Sequence, residues 1–341
     1  PLKSRSHKLL ANLQRSSRFE ATIPPQFSNP TSSARQTPAS SLEGHSSLSG
    51  AVVDGNLVHE FLSSGRSGFY YRLDSIGSQP RAIKFVPFEL AKQEFLAELA
   101  SKSLTHPNIV RVESGGQHRE LKIGPLAVFP GDRPTGKSTP PPTKPRRYRY
   151  LILEWVQSDQ KLRSFKELKI DGGIPSQQLL PLAIPVLQAL AYAHQQGIVH
   201  GKLHPSSLLL TSDRIPKIAK FRSGLHQDLA KAGGNSPLLD SGSEWVSYIA
   251  PEQLQRNRST GPSADLYSLA VILYELLSGH LPHQGNPIIG HLAGESQALP
   301  SRDDISTELQ AWFEIALQKE ACHRFSDMQQ AADALSSALG S

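Results

Sequence analysis

From Val52 to about Glu113, short runs alternate apolar with polar residues: Leu57 to Leu62, Gly65 to Leu73 and Arg81 to Val86. That period of two predicts three strands, and the stretch from Leu90 to Leu104 that follows has helical spacing. After one further strand at Tyr150 to Val156 the helical period takes over, across Ser176 to Gln196, Ala264 to Ser278, Thr307 to Lys319 and Ser326 to Leu339. A strand-rich half followed by a helix-rich half predicts an α+β chain of two lobes with a cleft between them.

Two segments break the pattern. Residues 1–50 are rich in Ser, Pro and Arg and poor in aromatics, which predicts a disordered tail, with one short helical stretch at His7 to Phe19 where Leu9, Leu10 and Leu13 recur. Residues 119–147 contain the run STPPPTKPRR and read as a basic, proline-rich surface insert between two strands. The expected domain is therefore 51–341, divided into a first lobe at 51–153 and a second at 157–341.

Composition narrows the function classes. With 341 residues and 38% hydrophobic content, the chain can bury a sizeable core. The formal charge of +6 comes from the tail and the insert rather than from a patterned face, which disfavours nucleic acid as a partner. A binder of nucleic acid or an acidic partner through those segments is the third functional reading, and steep salt dependence is its mark. The single cysteine, Cys322, excludes a disulfide framework and a cysteine zinc site and fits a reducing compartment, so the cytoplasm is the expected location. The most apolar stretch, Leu179 to Ala193, is interrupted by Pro181, Pro185 and Gln188, short of the roughly 20 apolar residues of a membrane helix. The chain opens at Pro1 with no signal-peptide pattern, as a segment trimmed from a longer protein would.

Ordered motifs supply the chemistry. LSSGRSGFYY places Ser63, Gly65 and Gly68 in a glycine-rich turn, where backbone amides can approach phosphates closely. AIK follows on the next strand with Ala82 and Lys84, then HPNIV, LILEWV, HGKLHPSSLLL, KIAKFRSG, APE at Ala250 to Glu252, DLYSLAVILYELLSGHLP, and Arg324 near the end. In this order the chain, from about Val52 to Leu339, resembles the bacterial-type Ser/Thr protein kinases.

The resemblance implies a two-lobed kinase fold and a role for each position. Lys84 is the phosphate-binding lysine, with Glu98 as its helix partner and Glu94 as second choice. Gly65, Gly68 and Ala82 belong to the nucleotide site, Leu153 is the gatekeeper, and the backbones of Glu154 and Val156 face an adenine. Glu252 pairs with Arg324, Asp265 holds the catalytic-loop backbone, and His200 is a packed structural residue, so His194, His200 and His204 are not read as a metal site.

The departures fall on the chemistry. The catalytic loop, HRDLKPxNxLL in the family, has Lys202 at the base aspartate and Ser207 at the metal-binding asparagine. The DFG position has Lys220 at its aspartate and Arg222 at its glycine, and Trp245 stands where the activation segment has threonine. Phosphoryl transfer needs a carboxylate at the acceptor and oxygen ligands for magnesium. The leading reading is thus a pseudokinase, a regulatory or scaffold module for an unidentified protein partner. ATP is its implied ligand and magnesium is not expected. Lys202 and Lys220 either extend into solvent or bind phosphate or pair with Glu98. The runner-up is an atypical active kinase with a relocated acid, Asp213, Asp228 or Asp240.

One outcome follows from composition alone. Deleting 119–147 is expected to leave the melting temperature nearly unchanged, since the insert offers no core; a large drop would assign it a packing role.

Overall fold

The computed structural model describes residues 48–340 except 66–67, 75–80, 89–91, 119–147, 157–162, 222–243, 256–260, 284 and 295. The expected tail helix at 7–19, the insert 119–147, and Arg222, Asp228 and Asp240 lie outside the described residues, as does the side chain of Glu94.

The first lobe is built on an antiparallel sheet. Its elements are β1 (Val52–Val53), β2 (Asn56–Gly65), β3 (Gly68–Asp74), β4 (Arg81–Pro87), helix α1 (Lys92–Ala100), β5 (Val112–His118) and β6 (Tyr148–Glu154), with strand order β1-β2-β3-β4-β6-β5. Both faces are apolar. Because side chains alternate, Ile83 and Phe85 join Tyr71, Tyr150 and Ile152 on one face, while Ala82 and Val86 join Phe95 of α1, Leu151 and Leu153 on the other. Leu209 and Ala219 of the second lobe belong to that second cluster, so it is the seam between the lobes. Lys84 shares its face with Ala82 and Val86, which aims it at the seam.

The second lobe contains β7 (Arg163–Ser164), α2 (Leu180–Gln195), β8 (Leu208–Leu210), β9 (Pro216–Ile218), α3 (Pro262–Ser278), α4 (Pro287–Ala293), α5 (Thr307–Ala316) and α6 (Met328–Gly340). β7, β8 and β9 form a small second sheet. Helix α3 is the axis of this lobe: every residue from Ala264 to Ser278 is buried. A helix enclosed on all sides must satisfy its polar side chains with protein groups. Asp265 accepts from the backbone amides of His200 and Gly201, each at 2.8 Å, and meets His194 Nε2 at 2.9 Å. Glu275 receives Lys169 Nζ at 2.8 Å and the Tyr248 hydroxyl at 2.6 Å.

Tyr267 of α3 holds a third set. The Nε2 of His291 in α4 lies 3.1 Å from the Ser247 carbonyl, so that nitrogen carries the hydrogen. Its Nδ1 then accepts from the Tyr267 hydroxyl at 2.8 Å, and His283 Nε2 donates to the same hydroxyl at 2.9 Å. The Tyr267 hydroxyl thus bridges the two imidazoles. Burial, with the neighbouring His283 adding to it, pushes the His291 imidazole down to about 3.

Among the described residues the expected elements hold with shifted ends. The helix expected over Thr307 to Lys319 stops at Ala316, because the carbonyls of Gln318 and Lys319 turn to the guanidinium of Arg324, at 2.7 and 3.0 Å. The stretch from Leu90 to Leu104 is helical from Lys92 and closes with a 3-10 turn at Ser101–Ser103. Strands β7 to β9 and helix α4 were not expected.

Arg324 also forms a two-pronged pair with Glu252, at 2.7 and 2.8 Å, and lies 4.7 Å over the Tyr267 ring. Removing one partner of such a buried pair is expected to cost about 3–5 kcal/mol, so Arg324→Ala should shift the urea midpoint sharply downward, and a near-neutral result would contradict the enclosed geometry. For His291 the sign runs against acid. Its folded-state value lies below the unfolded one, so the unfolded chain takes up a proton that the fold refuses, and stability present above about pH 6.5 is lost as pH falls toward 3. By pH 5 the loss is about 2 kcal/mol, and His291→Gln should flatten the stability profile between pH 7 and 5.

Candidate functional site

Between the lobes lies a cavity of ≈ 330 Å³, lined by Leu62, Ser63, Tyr70, Ala82, Glu98, Ser101, Val110, Val112, Leu153, Glu154, Trp155, Val156, Leu209, Ala219, Lys220 and Phe221. Its roof is the hairpin of β2 and β3, closed where Gly65 pairs with Gly68. Gly68 has φ +135, and a Cβ there would stand 2.1 Å from the Phe85 carbonyl oxygen, so only glycine lets β3 start against β4.

Lys84 of β4 and Glu98 of α1 form an ion pair in the back of the cleft, both 2% exposed. The helix is thereby tied to the sheet by a pair of opposite charges that burial would penalise if either stood alone. Glu98, chosen from sequence over Glu94, is the partner, and it pairs with neither Lys202 nor Lys220. At the connection after β6, Leu153 and Val156 are buried in the lining, and Glu154 is pinned. Its carboxylate accepts from the Arg111 amide at 3.1 Å and meets Lys217 Nζ at 2.6 Å, while its own amide donates to the Arg111 carbonyl at 2.9 Å.

The loop corresponding to the catalytic loop is held by His200, which is fully buried. Its Nδ1 accepts from the Lys202 amide at 3.3 Å, its Nε2 donates to the Ala219 carbonyl at 3.0 Å, and its ring packs 5.0 Å from Phe221. On this frame the substituted residues take new partners. The Lys202 ammonium sits 4.4 Å from the centre of the Trp245 ring. The Ser207 hydroxyl is turned into the loop, donating to the His204 carbonyl at 2.7 Å and accepting its amide at 3.1 Å. Lys220 stands at φ 66, a left-handed position uncommon for any residue but glycine, and its Nζ donates to the Ser206 carbonyl at 3.0 Å.

These contacts correct one of the alternatives drawn from the sequence. Lys202 and Lys220 do not simply extend into solvent, because each is half-buried against a partner. Lys220 lines the cavity and Lys202 does not. Among the described residues, no group of three His, Cys, Asp or Glu side chains could hold a metal ion. Asp213 sits exposed in the turn between β8 and β9.

Sequence reading missed the contact of Trp245 with Lys202 and the position of Tyr70. The first had a signal: a lysine and a tryptophan replace an aspartate and a threonine at two positions that the resemblance puts in contact, and the exchange is complementary. Tyr70 had only its strand face.

The pattern of the protein kinase domain family matches residues 58–336. Ser/Thr-protein kinase PknL of Mycobacterium tuberculosis is 34% identical over 243 residues, covering 70% of this chain and 53% of PknL. A Ser/Thr-protein kinase of Corynebacterium efficiens, drp72, is 30% identical over 193 residues, 55% of this chain and 35% of that protein. The chain thus spans about half, or less, of the length of these curated relatives. The crystal structure of the PknI kinase domain of Mycobacterium tuberculosis superposes with a TM-score of 0.57 at 21% identity, over 85% of this chain and 97% of that one, and shares the fold. With the family pattern spanning most of its length and the two-lobed fold around the Lys84–Glu98 pair, the chain belongs to the protein kinase family, alongside bacterial Ser/Thr kinases.

Proposed function

We propose that the chain is a pseudokinase: a kinase scaffold that binds ATP without magnesium, does not transfer phosphate, and acts as a regulatory or scaffold module for a protein partner. The observation that carries this reading is the engagement of Lys202 with Trp245. The position that would need a carboxylate to accept the proton of an acceptor hydroxyl holds an ammonium, and an indole covers it.

The residues present suit a nucleotide. Gly65 and Gly68 give the backbone freedom for close approach, Ala82 and Leu209 offer apolar surface to a base, Glu154 and Val156 border the same cavity, and Lys84, paired with Glu98 of the lining, would supply a charge for phosphate. They do not suit magnesium, which demands about six oxygen ligands in octahedral array. At the two positions that would supply them stand the Ser207 hydroxyl, spent on His204, and the Lys220 ammonium. A lysine near phosphate neutralises charge as a point cation but offers no coordination. The alternative, an atypical active kinase, is favoured by the intact Lys84–Glu98 pair and by relatives named as Ser/Thr-protein kinases.

Calorimetric titration with ATP separates the two. Affinity is expected to be the same or lower when magnesium is added, since the metal complexes ATP and finds no ligands in the cleft. Lys84→Ala should weaken binding about tenfold, and Lys220→Asp should bring back some metal dependence with no turnover, because Lys202 still replaces the base. Tight binding only with magnesium, together with ADP release, would establish the active kinase instead.

A further inference from the structure

Tyr70 belongs to neither the frame nor the expected nucleotide contacts. The sheet register aligns Ser63 of β2, Tyr70 of β3, Lys84 of β4 and Leu151 of β6 in one cross-strand row. Directly paired residues project to the same face, so Tyr70 stands between the glycine-rich strand and the phosphate-binding lysine. It lines the cleft with Ala82, Leu153 and Lys220. Its ring lies 5.6 Å from the Lys84 ammonium.

The Tyr70 hydroxyl is buried, with no hydrogen-bond partner among the described residues. A buried tyrosine normally finds a partner for its hydroxyl. Tyr150 donates to Asp54, Tyr248 to Glu275 at 2.6 Å and Tyr274 to the Ala298 carbonyl at 3.1 Å, and Tyr267 bridges two histidines. Tyr70 is held instead by its ring, over an ammonium and inside an apolar pocket, while a desolvated hydroxyl opposes that placement. The backbone beneath it has little room to yield, because Gly68 abuts the Phe85 carbonyl. Release of the ring therefore falls to side-chain rotation, which would return the hydroxyl to water.

We propose that Tyr70 is an intrinsic plug of the cleft: its ring fills the space beside Lys84 that a nucleotide's phosphate-bearing end would occupy, and a nucleotide enters by displacing it. This rests on the reading that the cleft binds ATP without metal, and it adds that the affinity is set by competition with the protein's own side chain.

The test is a titration of the full chain with magnesium-free ATP, with the melting temperature of each ligand-free variant measured alongside. Tyr70→Val keeps a good strand residue and removes the ring, and it should tighten ATP binding by about tenfold, the scale of a lost cation–π contact. Tyr70→Phe removes only the unpaired oxygen, so the plug should sit more firmly. Binding should weaken about fivefold, with a ligand-free melting temperature equal to wild type or higher. Binding by Tyr70→Val no tighter than wild type would overturn the plug, as would a lower melting temperature for Tyr70→Phe, which would reveal a structural partner for the hydroxyl. If neither wild type nor Tyr70→Val binds ATP, the plug and the nucleotide reading fall together. Phosphoryl transfer with magnesium would remove the pseudokinase reading and leave the plug standing.

Discussion

The enclosure of helix α3 (Pro262–Ser278) governs the rest of the second lobe. Asp265, Tyr267 and Glu275 have little access to water and take protein partners, several of them in the connecting segments. Asp265 fixes the backbone at His200 and Gly201, Tyr267 reaches Ser247 through His291, and Glu275 holds Tyr248 with Lys169. Glu252 and Arg324 join the same assembly through the Tyr267 ring. The loop bearing Lys202 and the segment bearing Trp245 are thus brought to their places by a helix that does not itself line the cleft.

That division explains how the substitutions are accommodated. Lys202, Ser207 and Lys220 lie on backbone already placed by His200, Asp265 and the pairing of β8 with β9. Each then finds a local partner: an indole, the two backbone groups of His204, and the carbonyl of Ser206. Lys220 retains a left-handed backbone, which costs energy without a glycine and persists because flanking residues determine it: Ala219 donates to the Ser207 carbonyl and Phe221 packs on His200.

Much of the fold was legible because its signals are local. Alternation along β4 put Lys84 on the face of Ala82 and Val86, and the resemblance named Glu98, in the helix before HPNIV, as its partner. What was not legible depends on contacts between distant segments. Strands β7 to β9 are two or three residues long, too short for a period to register, and α4 is seven residues between Pro287 and Gly294. The end of α5 is set by Arg324, which takes carbonyls that would otherwise continue the helix. The candidate site divides the same way. Which residues replaced the family's carboxylates could be read from sequence, but where their ammonium groups point could not.

Residues that frame the kinase scaffold and residues that would perform its chemistry are therefore separable in energy. Losing Glu252, Arg324 or Asp265 strands a buried charge or backbone amides, which costs several kcal/mol and threatens the fold. Replacing carboxylates beside an open cleft with lysines strands nothing, provided each ammonium can reach a carbonyl, a π face or water, as Lys220 and Lys202 do. On the proposed reading, the scaffold would lose its acid–base groups while the segment from Glu244 to Tyr248 and helix α4, joined to it through His291, stay in register. A partner that reads those surfaces would meet a kinase shape whose stability does not depend on the reaction.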